Sequence, residues 1–483
     1  MLAGRERAGL DVCGWVLIAL FIVCCISVAA GNSLAEQAAA ARATPEPQNE
    51  SESRTLVQQG DDRLAHQDFA AAEAVFRAAV EGDPTLAAAH RGLGLALWEQ
   101  GRAEAAWKEL RVAARLDPGS ASAHYVLGKL AWFLYQQPQA RSGEAQSLNP
   151  DDLQALALSE VEKAVALDPR NFKMRLDLAE LNLAVGRDKQ AQSDAGQAIG
   201  LASSPVERSL AHVMMARSLV STDDEDRAEA EYKKALQANP ANGTAYLRLG
   251  QLRLFQHKPL EAARYFRRAI QVSPDLEPAY AALAELLANA HEHTEAQSLF
   301  EKAVALDPQD WHTRYQLAVL FMEGGQSARA KDMLTGIVAQ QEDFLPAREQ
   351  LGLLLLRQGD QEGALAQAQA LIARNPQAKE GHRLLALVMW RQRKLESSLA
   401  ECALALGADP HSASMLLLQS IELWQQKRKQ DAQAAFRQAA QEDPSVRSAA
   451  TFCRLIACDS QDIPLVDEFL RKNRWVLNPP GAE

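Results

Sequence analysis

Cysteine is scarce and poorly placed to cross-link a fold. Six cysteines occur in 483 residues; Cys13, Cys24 and Cys25 fall in or beside an apolar N-terminal run, leaving Cys402, Cys453 and Cys458 for the rest. Their spacing matches neither a disulfide framework nor a zinc motif. Positive charge is not in excess either: 51 basic against 62 acidic residues give a formal charge of −11. A protein that tracks nucleic-acid phosphates should carry a basic stripe, so nucleic acid is excluded as the expected partner. Metal ligation has little to draw on, because His291 and His293 flank Glu292 without a third ligand at a recognisable spacing. No metal or cofactor is expected. The length alone suggests about three globular domains, an estimate that an internal repeat replaces with one elongated array.

What the chain does contain is one unit copied many times. Residues 277–310 form a complete example. Tyr280, Leu283, Ala284 and Leu287 recur at helical spacing, and Ala296, Phe300 and Ala303 give a second stripe after a polar break at His291 to Thr294. Asp307-Pro308 then ends the second helix, since proline disfavours helical geometry before it and cannot extend the ladder. Small residues at 284, 296 and 303 let the two helices approach closely. Closing prolines fall at 84, 118, 169, 205, 240, 274, 308, 376, 410 and 444, mostly 34 residues apart, with Glu342 standing in the missing place and Pro346 just beyond. The small position of the first helix is Gly60, Gly94, Gly128, Ala179, Ala216, Gly250, Ala284, Ala318, Gly352 and Ala386, failing only at Ser420. The first alanine of the second helix recurs from Ala72 to Ala432, with Ser398 the exception.

This pattern resembles the tetratricopeptide repeat, a 34-residue helix pair. The resemblance implies an all-α, right-handed superhelical solenoid of antiparallel helix pairs. About eleven units run over 53–446, and a degenerate pair within 447–483 caps the stack, a polar outer face being needed to end it. Unit three carries an insertion, 136–152, which reads as a drifted surface loop or as a partner-binding loop. Pro150 and Asp151 are positioned to restart its second helix. Unit four is longer by about three residues near Ala202 to Pro205. Cys402 takes the aromatic position of its second helix and reads as a small core residue.

The N-terminus is of another kind. Val12 to Ala30 is free of charge and as a helix would span about 28 Å, close to the hydrocarbon thickness of a bilayer. Arg5 and Arg7 precede it and only Arg42 follows within twenty residues, which predicts repeats outside the cytoplasm. Residues 1–35 are therefore a retained membrane anchor or a cleaved signal peptide, Val28-Ala29-Ala30 fitting the cleavage pattern. Residues 36–52, alanine-rich and then proline- and acid-rich, read as a disordered tether. The expected location is the cell envelope, periplasmic or secreted. The glycosylation triplets at Asn49 and Asn242 are what chance supplies in a chain this long.

In the family, the first helix (helix A) lines a concave groove through its second, fifth, ninth, twelfth and thirteenth positions. Trp98, Trp132, Trp390 and Trp424 share the twelfth position. Either they pack against neighbouring helices or they form two aromatic platforms. The platforms would be flanked by Arg91, Tyr125, Lys129 and Phe133 in one place and by Arg383 and Arg391 in the other. The same registers hold Arg217, Gln251, Phe255 and Tyr315 in the middle units. The basic clamp of chaperone-binding members is absent, Arg91 pairing with Leu95 and Tyr125 with Lys129. The 37 residues after Val446 leave no room there for a catalytic domain. The expectation is a non-catalytic scaffold or adaptor for protein or peptide partners. The alternative is the recognition arm of a multi-subunit enzyme, a glycosyltransferase or protease, catalysing on another chain.

Overall fold

A computed structural model describes residues 50–141, 143–458 and 461–477. The apolar run 12–30, nearly all of the expected tether and the residues beyond 477 lie outside them. Among the described residues no helix is long and apolar enough to cross a membrane.

The chain is all-α and forms two compact units, residues up to Ser273 and from Pro274. In the first, α1 (Glu50–Ala65) and α2 (Phe69–Gly82) pair, as do α3 (Ala87–Glu99) and α4 (Ala103–Leu116). Next come α5 (Ala121–Gln136), the short α6 (Gly143–Gln146) and α7 (Pro150–Leu167). The pairs α8 (Phe172–Ala184) with α9 (Asp188–Leu201), α10 (Pro205–Val220) with α11 (Glu225–Ala238), and α12 (Gly243–Phe255) with α13 (Pro259–Val272) complete it. The second unit holds α14 (Glu277–Asn289) with α15 (His293–Leu306), α16 (Trp311–Glu323) with α17 (Ser327–Gln340), and α18 (Leu345–Arg357) with α19 (Gln361–Arg374). It continues with α20 (Lys379–Arg391) and α21 (Leu395–Ala408), then α22 (Ala413–Gln425) and α23 (Lys429–Glu442). After them come α24 (Ala449–Leu455) and α25 (Ile463–Leu477). Within each unit, helices of a pair pack on one another and on the next pair.

The alanines opening the second helices, Ala72 through Ala432, are fully buried, and so is Ser398, whose hydroxyl donates to the Ala386 carbonyl at 2.8 Å. Outside repeat three, each break between paired helices has a left-handed residue at the fifteenth position. Glycine supplies it at 101, 186, 325 and 359; elsewhere Gln67, Asp223, His257, His291, Arg393 and Lys427 hold φ near 60°. The stop before most closing prolines is also repeated. Proline donates no hydrogen bond, so the preceding acid or amide accepts from the amide beyond it, as in Asp83 with Thr85 and Asp307 with Gln309, both at 2.9 Å. Asn242 has a structural role of the same kind: it caps α12 and donates to the Ser209 hydroxyl at 2.8 Å from a buried position.

The insertion in unit three is tied down. Arg141 donates to the Leu134 and Tyr135 carbonyls, Ala145 is fully buried, and Asn149 caps α7 with Pro150 in its first turn. The extension in unit four becomes a capping box, in which Ser204 and Glu207 satisfy one another's backbone amides.

The cysteines require a correction. Cys453 and Cys458 are disulfide-bonded across the turn after α24, a pairing that the spacing of six scattered cysteines did not suggest. Cys402 is buried and free, in the core as expected.

A second repeated feature is a histidine lock. At the fourth position of four repeats, Nδ1 of His90, His124, His212 and His382 faces the carboxylate of Glu109, Glu160, Glu231 and Glu401 on the paired helix. In three of these, Nε2 also faces the carbonyl of the preceding repeat's closing proline: Pro84 at 3.0 Å, Pro118 at 3.1 Å and Pro376 at 2.9 Å. On His90 and His382 two acceptors call for two N–H donors, which only the imidazolium has. Tyr280 makes the proline contact alone, donating to the Pro274 carbonyl at 3.1 Å.

For His90 the Glu109 carboxylate, and for His382 a contest that Glu401 wins over burial, raises the ring pKa above its ordinary 6.5. A pKa raised by folding adds stability that is complete below the unfolded value and lost as pH rises through the folded one. Urea unfolding should therefore show stability declining from about pH 6.5 upward. His90→Gln/His382→Gln should flatten that decline, and an unaltered pH slope in the double variant would refute the lock.

Candidate functional site

The groove registers of helix A bring charged residues of successive repeats together. In the first unit, Arg91 of α3 donates to Ser122 of α5 at 3.0 Å and pairs with Asp61 of α1 at 3.3 Å. Tyr125 and Lys129 of α5 converge on Asp177 of α8; the tyrosine donates to it, and the ammonium sits 3.2 Å from it and 5.7 Å from the Tyr125 ring centre. Burial first and the Asp177 charge second push the Tyr125 hydroxyl pKa far upward, so it is a fixed donor. Arg217 of α10 pairs with Glu180 of α8 at 3.0 Å. In the second unit, Arg383 of α20 donates Nε to Glu349 of α18 at 2.7 Å. Burial raises the Glu349 pKa more than Arg383 lowers it. Arg391 donates to the Ala457 carbonyl at 2.7 Å. The partner acids Asp61, Asp177, Glu180 and Glu349 were not anticipated, although an acid in one helix A and a cation in the next was there to be read.

The tryptophans divide. Trp98 is half-buried against Phe133, with ring centres 5.9 Å apart, and Trp424 is half-buried against Phe469, at 5.7 Å, with Lys472 over its ring. Trp132 is buried and stacks on Tyr135 at 5.0 Å, and Trp390 is fully buried with Arg393 beside its ring. The last two rings offer no face to a partner, which corrects the platform expectation at those positions. Phe133 is half-buried, Gln251 accepts from Arg248 at 3.1 Å, and Tyr315 is half-buried edge-on to Phe344, its hydroxyl pKa raised by burial and then by Glu349. Phe255 differs from all of these at 68% exposed. Leu210 and Val220 of α10, also in groove registers, are 42% and 40% exposed. Repeats five and six thus present open apolar side chains beside the Arg217–Glu180 pair.

Reactive groups are enclosed. Glu422 is fully buried, and burial pushes its pKa up to about 8 against a smaller opposing effect of the Ser398 hydroxyl. Cys402 is as buried, and burial raises its thiol pKa. A cleft of about 240 Å³ lies beside Arg383, lined also by Glu349, Lys379, Glu380 and Asp409, and two ion pairs, Arg383–Glu349 and Lys379–Asp409, cross it. His291 and His293 stand 5.8 Å apart, and among the described residues no group of three potential ligands is placed to hold a metal.

Models of the tetratricopeptide repeat match residues 57–132, 213–281, 247–310 and 349–413, and a second such model matches 287–351. Together they cover more than half of the chain. No curated protein matches it. A tetratricopeptide repeat protein from Parabacteroides merdae is 15% identical over 56% of this chain and 99% of that one, with a TM-score of 0.46. YrrB, described as a repeat protein with an unusual peptide-binding site, is 24% identical over 39% and 95%, at 0.29. The Cut9–Hcn1 structure from the APC/C hetero-tetramer is 13% identical over 87% and 96%, at 0.39.

Core and groove positions separate under truncation. Trp390→Ala should cost about 3 to 5 kcal/mol of stability in denaturant melts, as large buried aromatics do. Phe255→Ala should stay within about 0.5 kcal/mol, as exposed substitutions do. Equal losses would contradict the assignment.

Proposed function

The chain belongs to the tetratricopeptide repeat family, and we propose that it is a non-catalytic scaffold that receives protein or peptide partners on its helix-A face. The supporting observation is the contrast along that face. Most of its cations already hold an acid of a neighbouring repeat, whereas Leu210, Val220 and Phe255 stay open to water. Apolar side chains of a partner segment gain most where such surface is covered, and Arg217 with Glu180 beside it sets orientation. Helix-in-groove and extended-segment recognition both suit such a surface.

Phe255→Ala should weaken capture of partners by about 2 kcal/mol. The measurement is photo-crosslinking from position 210 in cells, with and without that substitution. Adducts that do not change would overturn the assignment. Many substoichiometric clients favour the scaffold, while one enzyme recovered in fixed stoichiometry favours the recognition-arm alternative.

The proposed location is outside the cytoplasm, anchored or released through residues 12–30. Arg5 and Arg7 ahead of that run support it, and so does a disulfide, which persists in oxidising compartments and is rare in the cytosol. A reporter active only in the cytoplasm, fused after Glu483, should be silent. Strong signal would sink the topology.

A further inference from the structure

Arg357 ends α18 and Arg391 ends α20, both at the thirteenth position of their repeats on the helix-A face. Neither reaches only along its own stack. Arg391 donates to the Ala457 carbonyl at 2.7 Å and Arg357 to the Arg454 carbonyl at 3.4 Å, across 66 and 97 residues of sequence. Arg393, in the turn after α20, pairs at 2.8 Å with Asp462, which is fully buried. Three arginines of repeats nine and ten therefore hold the end of α24 and the turn that follows it.

That turn is shaped to be held. The Cys453–Cys458 disulfide closes it, the Cys458 amide donates to the Cys453 carbonyl at 2.9 Å, and Ala457 has φ of 50°. A non-glycine residue seldom adopts this left-handed backbone unless its surroundings impose it. Ile456 and Ala457 are buried, so the tip of the turn is covered rather than merely adjacent. Burial, and secondarily the charge of Arg454, lowers the Arg357 pKa. The guanidinium gains nothing from that neighbouring cation, and it donates instead to a main-chain carbonyl.

We infer that the Cys453–Cys458 turn is an intramolecular ligand: it fills a carbonyl-gripping arginine site on repeats nine and ten and, while the disulfide is closed, keeps out a partner's acidic turn. The partner half of this inference rests on the scaffold function proposed above; the self-occupied site does not. Opening requires a dithiol reductant. One of its thiolates attacks a sulfur of the pair and forms a mixed disulfide, and its second thiol resolves that bond, leaving two protein thiols and an oxidised reductant. With the bond gone, nothing covalent keeps the Ala457 carbonyl aimed at Arg391.

The test uses the full chain, wild type and Cys453→Ser/Cys458→Ser, with hydrogen exchange followed at the backbone amide of position 458. A fluorescent disulfide-closed peptide of the sequence 449–462 serves as the probe in anisotropy titrations. The amide should exchange about tenfold faster in the variant. The peptide should bind the variant at least about tenfold tighter than wild type, and adding Arg391→Ala should remove that binding. Arg391→Ala alone, with the disulfide intact, should also speed exchange, which keeps the test valid if the double variant folds poorly. Unchanged exchange in both variants, or a peptide that binds wild type and variant alike or neither, overturns the inference. If the turn opens and the peptide binds while no cellular partner crosslinks, the scaffold function fails and the self-occupied site stands. If clients crosslink from position 210 but the turn never opens, the reverse holds.

Discussion

A side chain of the second helix seats on nearly bare backbone of the first in repeat after repeat, and much of the structure depends on that contact. A methyl group added at Gly60 would lie 2.6 Å from the Phe76 ring, at Gly94 2.6 Å from Leu110, and at Gly128 2.7 Å from Val161. Atoms cannot approach so closely, so each pair has one separation and one rotation at which it fits. Where alanine replaces glycine, at 179, 284 or 318, the facing residue is Ala195, Phe300 or Leu334, all buried. Hydrophobic burial stabilises the pair, and the small residue decides its geometry.

Locking the pair fixes which helix-A positions face inward and which remain for the groove. The histidine locks extend this from pair to junction, because one ring touches the paired helix and the closing proline of the repeat before it. The inter-repeat ion pairs do the same along the helix-A face. Half-buried pairs such as Arg217–Glu180 and Lys129–Asp177 are costly to break one partner at a time, since the orphan is left poorly solvated. A partner therefore gains more by covering open apolar surface than by competing for these cations.

The helical periods, closing prolines and small residues made the repeats legible, because each is a local requirement stated in sequence. Helix ends were legible too where turn chemistry marks them: the second helix of repeat three starts at Pro150, the position expected to restart it, with Asn149 as its cap. The tryptophans were less legible because one register hosts two environments. Trp98 keeps a partly open ring, whereas the ring of Trp390 is closed over completely. Register names the helix face but not what later parts of the chain place upon it. The Cys453–Cys458 bond was missed for a related reason, since the repeat pattern fades after Pro444 and offers no frame for that turn. The histidine–glutamate pairs were visible as a 19-residue spacing in three repeats, and the insertion hid the fourth by stretching it to 36.

Each unit uses its own helix-A positions differently. In repeats five and six the face ends in exposed Leu210, Val220 and Phe255, surface that a monomer leaves uncovered at a cost and that a partner can cover. In repeats nine and ten the face ends in arginines that are already engaged by carbonyls and a carboxylate of the same chain. An apolar surface releases its bound water to any segment of fitting shape, so it discriminates weakly. A set of positioned donors favours a segment that supplies acceptors, because a segment without them takes water from the donors and returns no hydrogen bond. Under the proposed scaffold function, affinity and selectivity would fall to different repeats, a division that a solenoid permits because each repeat answers structurally only to its neighbours.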